Sequence, residues 1–155
     1  MQTVRYRLAE KSDVPAMACI RAAEWETEEY WRGRISGYLD GELHPQHALI
    51  PRVGYVALEG ESLVGFIAGH LTRRYACEGE LEWINVVPER RGTAVAWELL
   101  RFWPLGLSNR RHHGSVWMFN LPTQFARWFY TRHGAEKLNA HWMVWNDIGI
   151  VLGPH

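Results

Sequence analysis

One stretch restricts the fold more than any other: Val86-Val87-Pro88-Glu89-Arg90-Arg91-Gly92-Thr93-Ala94-Val95-Ala96, continuing into Trp97-Glu98-Leu99-Leu100. An apolar run reaching a proline reads as a strand leaving a sheet. A short basic loop of small residues follows, and then a helical pattern. A strand that turns into a helix in this way belongs to a mixed α/β architecture, with the helix packed back on the sheet. The turn also has a chemical consequence. The first turn of a helix presents unpaired N–H groups and the positive end of its macrodipole. Small side chains let an anion approach that backbone. Arg91, Gly92, Thr93, Ala94, Val95 and Ala96 therefore read as a cradle for a pyrophosphate-like group, with the Arg91 guanidinium beside it.

The flanking pattern extends this reading to one domain over residues 1–155. Val4 to Leu8 alternates apolar and charged residues, as a half-buried strand does. Ser12 is placed to cap a helix with an apolar stripe of Val14, Met17 and Ala18. Glu24 to about Leu39 is a second helical or irregular segment. His44-Pro45 and Ile50-Pro51 predict a loop. Gly54–Leu58 and Leu63–Leu71 form a hairpin across Glu59-Gly60-Glu61-Ser62, and Glu80–Val87 is another strand. Thr93 to about Leu105 is a helix that Pro104 is expected to kink or stop. Ser115–Phe119 is a strand, Pro122 opens a helix ending at Gly134, and Ala140–Asn146 is the last strand. The predicted order is β-α-α-β-β-β-α-β-α-β.

Composition narrows the function. Seventeen basic and seventeen acidic residues balance, which argues against a broad basic surface for nucleic acid. No apolar run approaches the ~20 residues of a membrane span, and no leader pattern is evident, so a cytoplasmic protein is expected. Cys19 and Cys77 are far apart and suggest neither a disulfide framework nor a zinc motif. His112-His113, the His44/His47 pair and His133 offer no ligand set, so no metal is expected. Nine tryptophans point to an aromatic core or an aromatic-lined pocket.

The order of elements and two motifs resemble the GNAT superfamily of acyl-CoA-dependent N-acyltransferases. The first motif, Arg/Gln-x-x-Gly-x-Gly/Ala, is matched by Arg91 to Ala96, with Ala94 where the family usually has glycine. The second is an asparagine after the fifth strand, a helix carrying an alanine, and a tyrosine four residues before Gly-Phe. Asn120, Ala126, Tyr130 and Gly134 match it, and Ala135 replaces the phenylalanine. The resemblance implies a mostly antiparallel central sheet flanked by helices and splayed between its fourth and fifth strands. It implies acetyl-CoA as co-substrate and a small-molecule or peptide amine as acceptor, in a monomer or homodimer. Val86 and Val87 would form the edge that pairs with pantetheine, a bulge would open this strand, and the N–H near Val86 would face the oxyanion. Asn120 would bind the amide arm of the cofactor. Tyr130 would protonate the departing thiolate, its ordinary pKa near 10 being suited to that task.

Glu80 and Glu82 lie two residues apart on one strand, hence on one face. Glu82, nearer the cradle, is the preferred general base, His70 is the runner-up, and a solvated strand face is the structural alternative. Trp25, Glu28 and Glu29 are candidates to attract a cationic amine, against a plain acidic helix face. The competing function is an acyl-CoA-binding sensor that has lost turnover, suggested by Ala94 and Ala135.

Overall fold

The computed structural model describes residues 3–107, 117–120, 124–140 and 142–146. The expectations on Pro122, Ser115 and His112-His113 lie outside them. The elements are β1 (Val4–Leu8), α1 (Val14–Ala22), α2 (Glu28–Leu39), β2 (Ala48–Glu59), β3 (Ser62–Thr72), β4 (Gly79–Val86), α3 (Val95–Leu107), β5 (Trp117–Asn120), α4 (Gln124–Arg132), β6 (Glu136–Lys137) and β7 (Trp142–Trp145).

The strands form one sheet in the order β1-β2-β3-β4-β5-β7-β6. Every pairing is antiparallel except β4 with β5, which is parallel. That parallel ladder joins Gly79, Glu80 and Leu81 to Trp117, Met118 and Phe119. From Glu82 onward β4 has no β5 partner among the described residues. The sheet therefore parts between its fourth and fifth strands, as the resemblance implies.

Helices cover both faces. Met17 and Ala18 of α1, with Trp31, Ile35 and Tyr38 of α2, pack on Val56, Phe66, Ala68 and Trp83. Leu99, Leu100 and Trp103 of α3, with Tyr130 of α4, pack on Ala57, Ile67, Leu81, Met143 and Trp145. These helical stripes recur at the three-to-four-residue spacing that buries one face. Where α3 crosses β3 the approach is close: a Cβ on Gly69 would stand 2.1 Å from Trp103 Nε1.

Several boundaries differ from expectation. Ser12 does not cap α1. Asp13 instead accepts the Glu10 N–H at 2.7 Å, and Arg7 holds both Asp13 oxygens at 2.7 and 3.0 Å. Ile50-Pro51 lies inside β2, which tolerates the proline through a register shift between Ala48 and Arg52. Pro104 does not stop α3, which runs to Leu107, because burial of its apolar stripe outweighs one lost hydrogen bond. The two-residue β6 is an exposed edge too short to show a period of two. Thr27 caps α2 by accepting the Tyr30 N–H at 3.1 Å, and Gly134 ends α4 with φ +94°.

Candidate active site

The β3–β4 register builds the centre of the site. Ala68 faces Trp83, but Gly69 faces Leu81, so Glu82 is an extra residue on β4 and forms a bulge. A bulge lets successive side chains share a face. Trp83 packs with α1 and α2, and Glu82 turns to the same side, toward His70. On the unshifted side of the bulge, His70 pairs with Glu80 across the ladder.

Four side chains are joined there. The Tyr38 hydroxyl lies 2.7 Å from His70 Nδ1. His70 Nε2 is 3.1 Å from Glu80 Oε2, though out of line for a hydrogen bond. Arg74 Nε donates to Glu80 Oε1 at 2.8 Å. His70, Glu80 and Glu82 each bring a donor atom within 4.8 Å of the others. Burial pushes the Glu82 carboxyl above the usual carboxylate range, His70 opposes that rise, and the neighbouring Glu80 charge adds to it. Burial also raises the Tyr38 phenol well above its ordinary value, with the Glu82 charge adding to the effect.

The cradle sits at the far end of β4. Gly92 has φ +80° and a Cβ there would meet nothing within 4 Å, so the loop is open on that side. Ala94 avoids the left-handed backbone region, and its carbonyl accepts the first helical bond of α3, from Glu98 at 2.9 Å. Alanine is therefore tolerated where the motif has glycine. Thr93 accepts the Val95 N–H at 3.4 Å, while Ala96 continues the first turn of α3 and is half-buried. Arg91 donates to Val86 O at 3.4 Å and to Glu24 Oε1 at 3.0 Å. Val87 gives its N–H to Val64 O at 2.9 Å. Successive strand N–H groups point to opposite edges, so the Val86 N–H is directed away from β3, toward the parting.

The remaining candidates fall elsewhere. Asn120 ends β5 opposite Trp142. Tyr130 is buried on the α3/α4 face, with its ring edge-on to Trp145 and Phe129. Burial raises its phenol far above the ordinary value, so it holds its proton at neutral pH. Trp25 is 59% exposed and edge-on to Tyr30 and Trp31. Glu28 and Glu29 occupy the first turn of α2, where they complement the helix dipole, and Glu28 lies 3.8 Å from Arg32. A cleft of about 220 Å³ beside Lys11, Ser36, Asp40 and Arg52 contains none of these residues.

Sequence reasoning missed Tyr38, Arg74 and Glu24. The hairpin register sets His70 against Glu80 once the 73–78 turn is recognised, but it does not bring in Tyr38 from α2 or Arg74 from the turn. Nothing in the sequence pairs Glu24 with Arg91.

A three-layer α/β/α domain with a seven-stranded sheet parted between β4 and β5 has the fold of the GNAT acetyltransferases. No protein-family model and no curated protein sequence matches the chain. Solved structures do. An acetyltransferase from Thermus thermophilus is 16% identical with a TM-score of 0.69, covering 93% of this chain and 98% of that one. A GNAT family N-acetyltransferase from Escherichia coli in complex with CoA is 16% identical, TM-score 0.65, covering 99% and 87%. A GNAT family acetyltransferase from Brucella melitensis in complex with acetyl-CoA is 19% identical, TM-score 0.61, covering 93% and 88%. At these identities the likeness is one of fold. Among the described residues no helix is long and apolar enough to cross a membrane.

Proposed function

We propose that this chain is an N-acetyltransferase that moves an acetyl group from acetyl-CoA to a primary amine by direct attack within a ternary complex. The observation that carries this reading is the parting of β4 from β5, which begins at the Glu82 bulge and leads to the open Gly92 loop. The seam would give a linear acyl donor a path between the cradle and the half-buried Glu82 carboxylate. The fold neighbours solved with CoA or acetyl-CoA support it.

Arg91 to Ala96 would hold the pyrophosphate. The Val86 backbone and Asn120 would line the pantetheine arm, with Val87 fixing the strand edge through Val64. Glu82, with its carboxyl raised by burial, is suited to take a proton from an amine near neutral pH. The Val86 N–H would donate to the developing oxyanion. Tyr130, a protonated phenol on the opposite face of the sheet, would return a proton to the departing thiolate. Trp25, just before α2, and Glu28 and Glu29 in its first turn are exposed, and their ring and charges would attract a cationic acceptor. The alternative, a sensor that binds acyl-CoA without turnover, draws support from the close packing of Tyr130 among Phe129 and Trp145.

The test is amine-dependent CoA release across a broad acceptor panel, preceded by thermal unfolding with acetyl-CoA. At ~100 times Kd the ligand stabilises the fold by about 2.7 kcal/mol. Glu82→Gln and Tyr130→Phe are each expected to lower kcat by roughly 10²–10⁴-fold with cofactor affinity kept. Binding without release for any acceptor selects the sensor. No thermal shift at millimolar acetyl-CoA refutes both.

A further inference from the structure

We propose that His70, Glu80 and Glu82 form a binding site for a divalent transition-metal ion of the zinc class. The three donors come from adjacent strands and turn to one face, all within 4.8 Å of one another. His70 is fully buried, and its Nε2 has no hydrogen-bond partner. A buried imidazole nitrogen left without a hydrogen bond is otherwise costly. It is also a donor set that zinc takes, at ~2.0–2.2 Å from nitrogen and oxygen. Two ligands at that length on a tetrahedral ion stand roughly 3.3 Å apart. His70 Nε2 and Glu80 Oε2, 3.1 Å apart, are already near that spacing, and the half-buried Glu82 can close on the same point by side-chain rotation.

The surroundings fit as well. Metal-bound histidines are usually oriented by a hydrogen bond at the other ring nitrogen. Here Tyr38 Oη lies 2.7 Å from Nδ1. With Nδ1–H donating to Tyr38, Nε2 presents its lone pair to the ion. Arg74 fixes Glu80 through Oε1 and leaves Oε2 for the ion. Two carboxylates supply negative charge toward a dication, part of it shared with Arg74, and the imidazole favours zinc-like ions over calcium or magnesium, which prefer oxygen alone. Three protein ligands leave a fourth position for water or an acceptor group. Zinc occupancy and the base role of Glu82 exclude each other, so a bound ion would inhibit transfer.

The proposal stands on the three donors and not on the acetyl-transfer reading. Metal-free, untagged protein is allowed to compete with a chromophoric indicator for Zn²⁺. One equivalent should bind with Kd on the order of 1 μM or tighter. Its affinity should fall by about tenfold or more in both His70→Gln and Glu82→Gln, each checked for cooperative unfolding. Co²⁺ should bind with the same stoichiometry and show visible d–d bands without thiolate charge transfer, excluding Cys19 and Cys77. Failure of the wild-type protein to bind, or wild-type affinity retained in both folded variants, overturns the site; the second result assigns the ion to other residues. Loss of transfer in Glu82→Gln with zinc binding unchanged sinks the metal site and leaves the base standing. Full transfer in Glu82→Gln with zinc binding lost does the reverse.

Discussion

Gly69→Ala probes the tightest contact in the fold. A Cβ at this position would stand 2.1, 2.4 and 2.5 Å from Trp103 Nε1, Cε2 and Cζ2. Non-bonded atoms settle near 3.5–4.0 Å, so the ring must retreat by more than about 1 Å. Trp103 is fully buried among β2, β3 and α3. The backbone of α3 must move, or the side chain must leave its rotamer. Overpacking costs about 1–3 kcal/mol and occasionally more, and a clash between backbone and a locked ring belongs at the top of that range. For a domain of this size ~3 kcal/mol lowers Tm by roughly 6–12 °C. Gly33→Ala is the control. Its Cβ would meet nothing within 4 Å in the middle of α2, and replacing a helical glycine there should add about 0.5–1 kcal/mol. Thermal and urea unfolding of the two variants should therefore move in opposite directions. A Gly69→Ala protein within 1 kcal/mol of wild type would refute the packing argument. A double-mutant cycle with Trp103→Leu locates the strain: the two changes together should cost less than their sum.

Asp13 gives a pH dependence. Burial pushes its carboxyl up, but the Arg7 hydrogen bonds and the Glu10 N–H more than offset this, and the folded value lies below the ordinary one. A depressed folded pKa contributes stability that is complete above the unfolded value near 4 and lost as pH falls through the folded value. Asp13→Asn should cost about 1–2 kcal/mol at pH 7 and flatten the acid limb of Tm measured from pH 2 to 7; an unchanged limb contradicts the assignment. Glu24→Gln frees Arg91 from its exposed ion pair, and should tighten acetyl-CoA binding by up to about fivefold in calorimetry; weaker binding would mean that Glu24 does not compete with the ligand. Thr27→Ala removes the α2 cap and should destabilise the fold by about 1 kcal/mol in urea unfolding, whereas no change would show the cap to be dispensable.

The strand-to-helix turn through Arg91–Ala96 was legible because a helix start, a glycine and an arginine are local signals. The alternating strands and the Met17/Ala18 stripe were legible for the same reason. Pro51 and Pro104 misled because local rules assign breaks that long-range packing overrides. The grouping of His70 with Glu80 and Glu82 was only half visible. Spacing put the two glutamates on one strand, but His70 meets Glu80 only through the pairing of β3 with β4, and Glu82 joins them beside a register shift that no single segment encodes. Glu28 and Glu29 read as an acceptor surface, yet in the fold they also serve the first turn of α2. Helix dipoles and cationic ligands select the same residue type, so composition alone does not separate them.

Among the described residues the parallel ladder between β4 and β5 is a short join, Gly79–Leu81 against Trp117–Phe119. Mechanically, it makes the domain two leaves sharing a short spine. One leaf carries β1 to β4 with the carboxylates, and the other carries β5, β7 and β6, against which α4 holds Tyr130. A molecule lodged in the seam would touch both leaves and lengthen the spine by standing in for missing rungs. Amide exchange in β5 and β7 should then slow more on ligand binding than exchange in β2 and β3, whose long antiparallel ladder already binds them together.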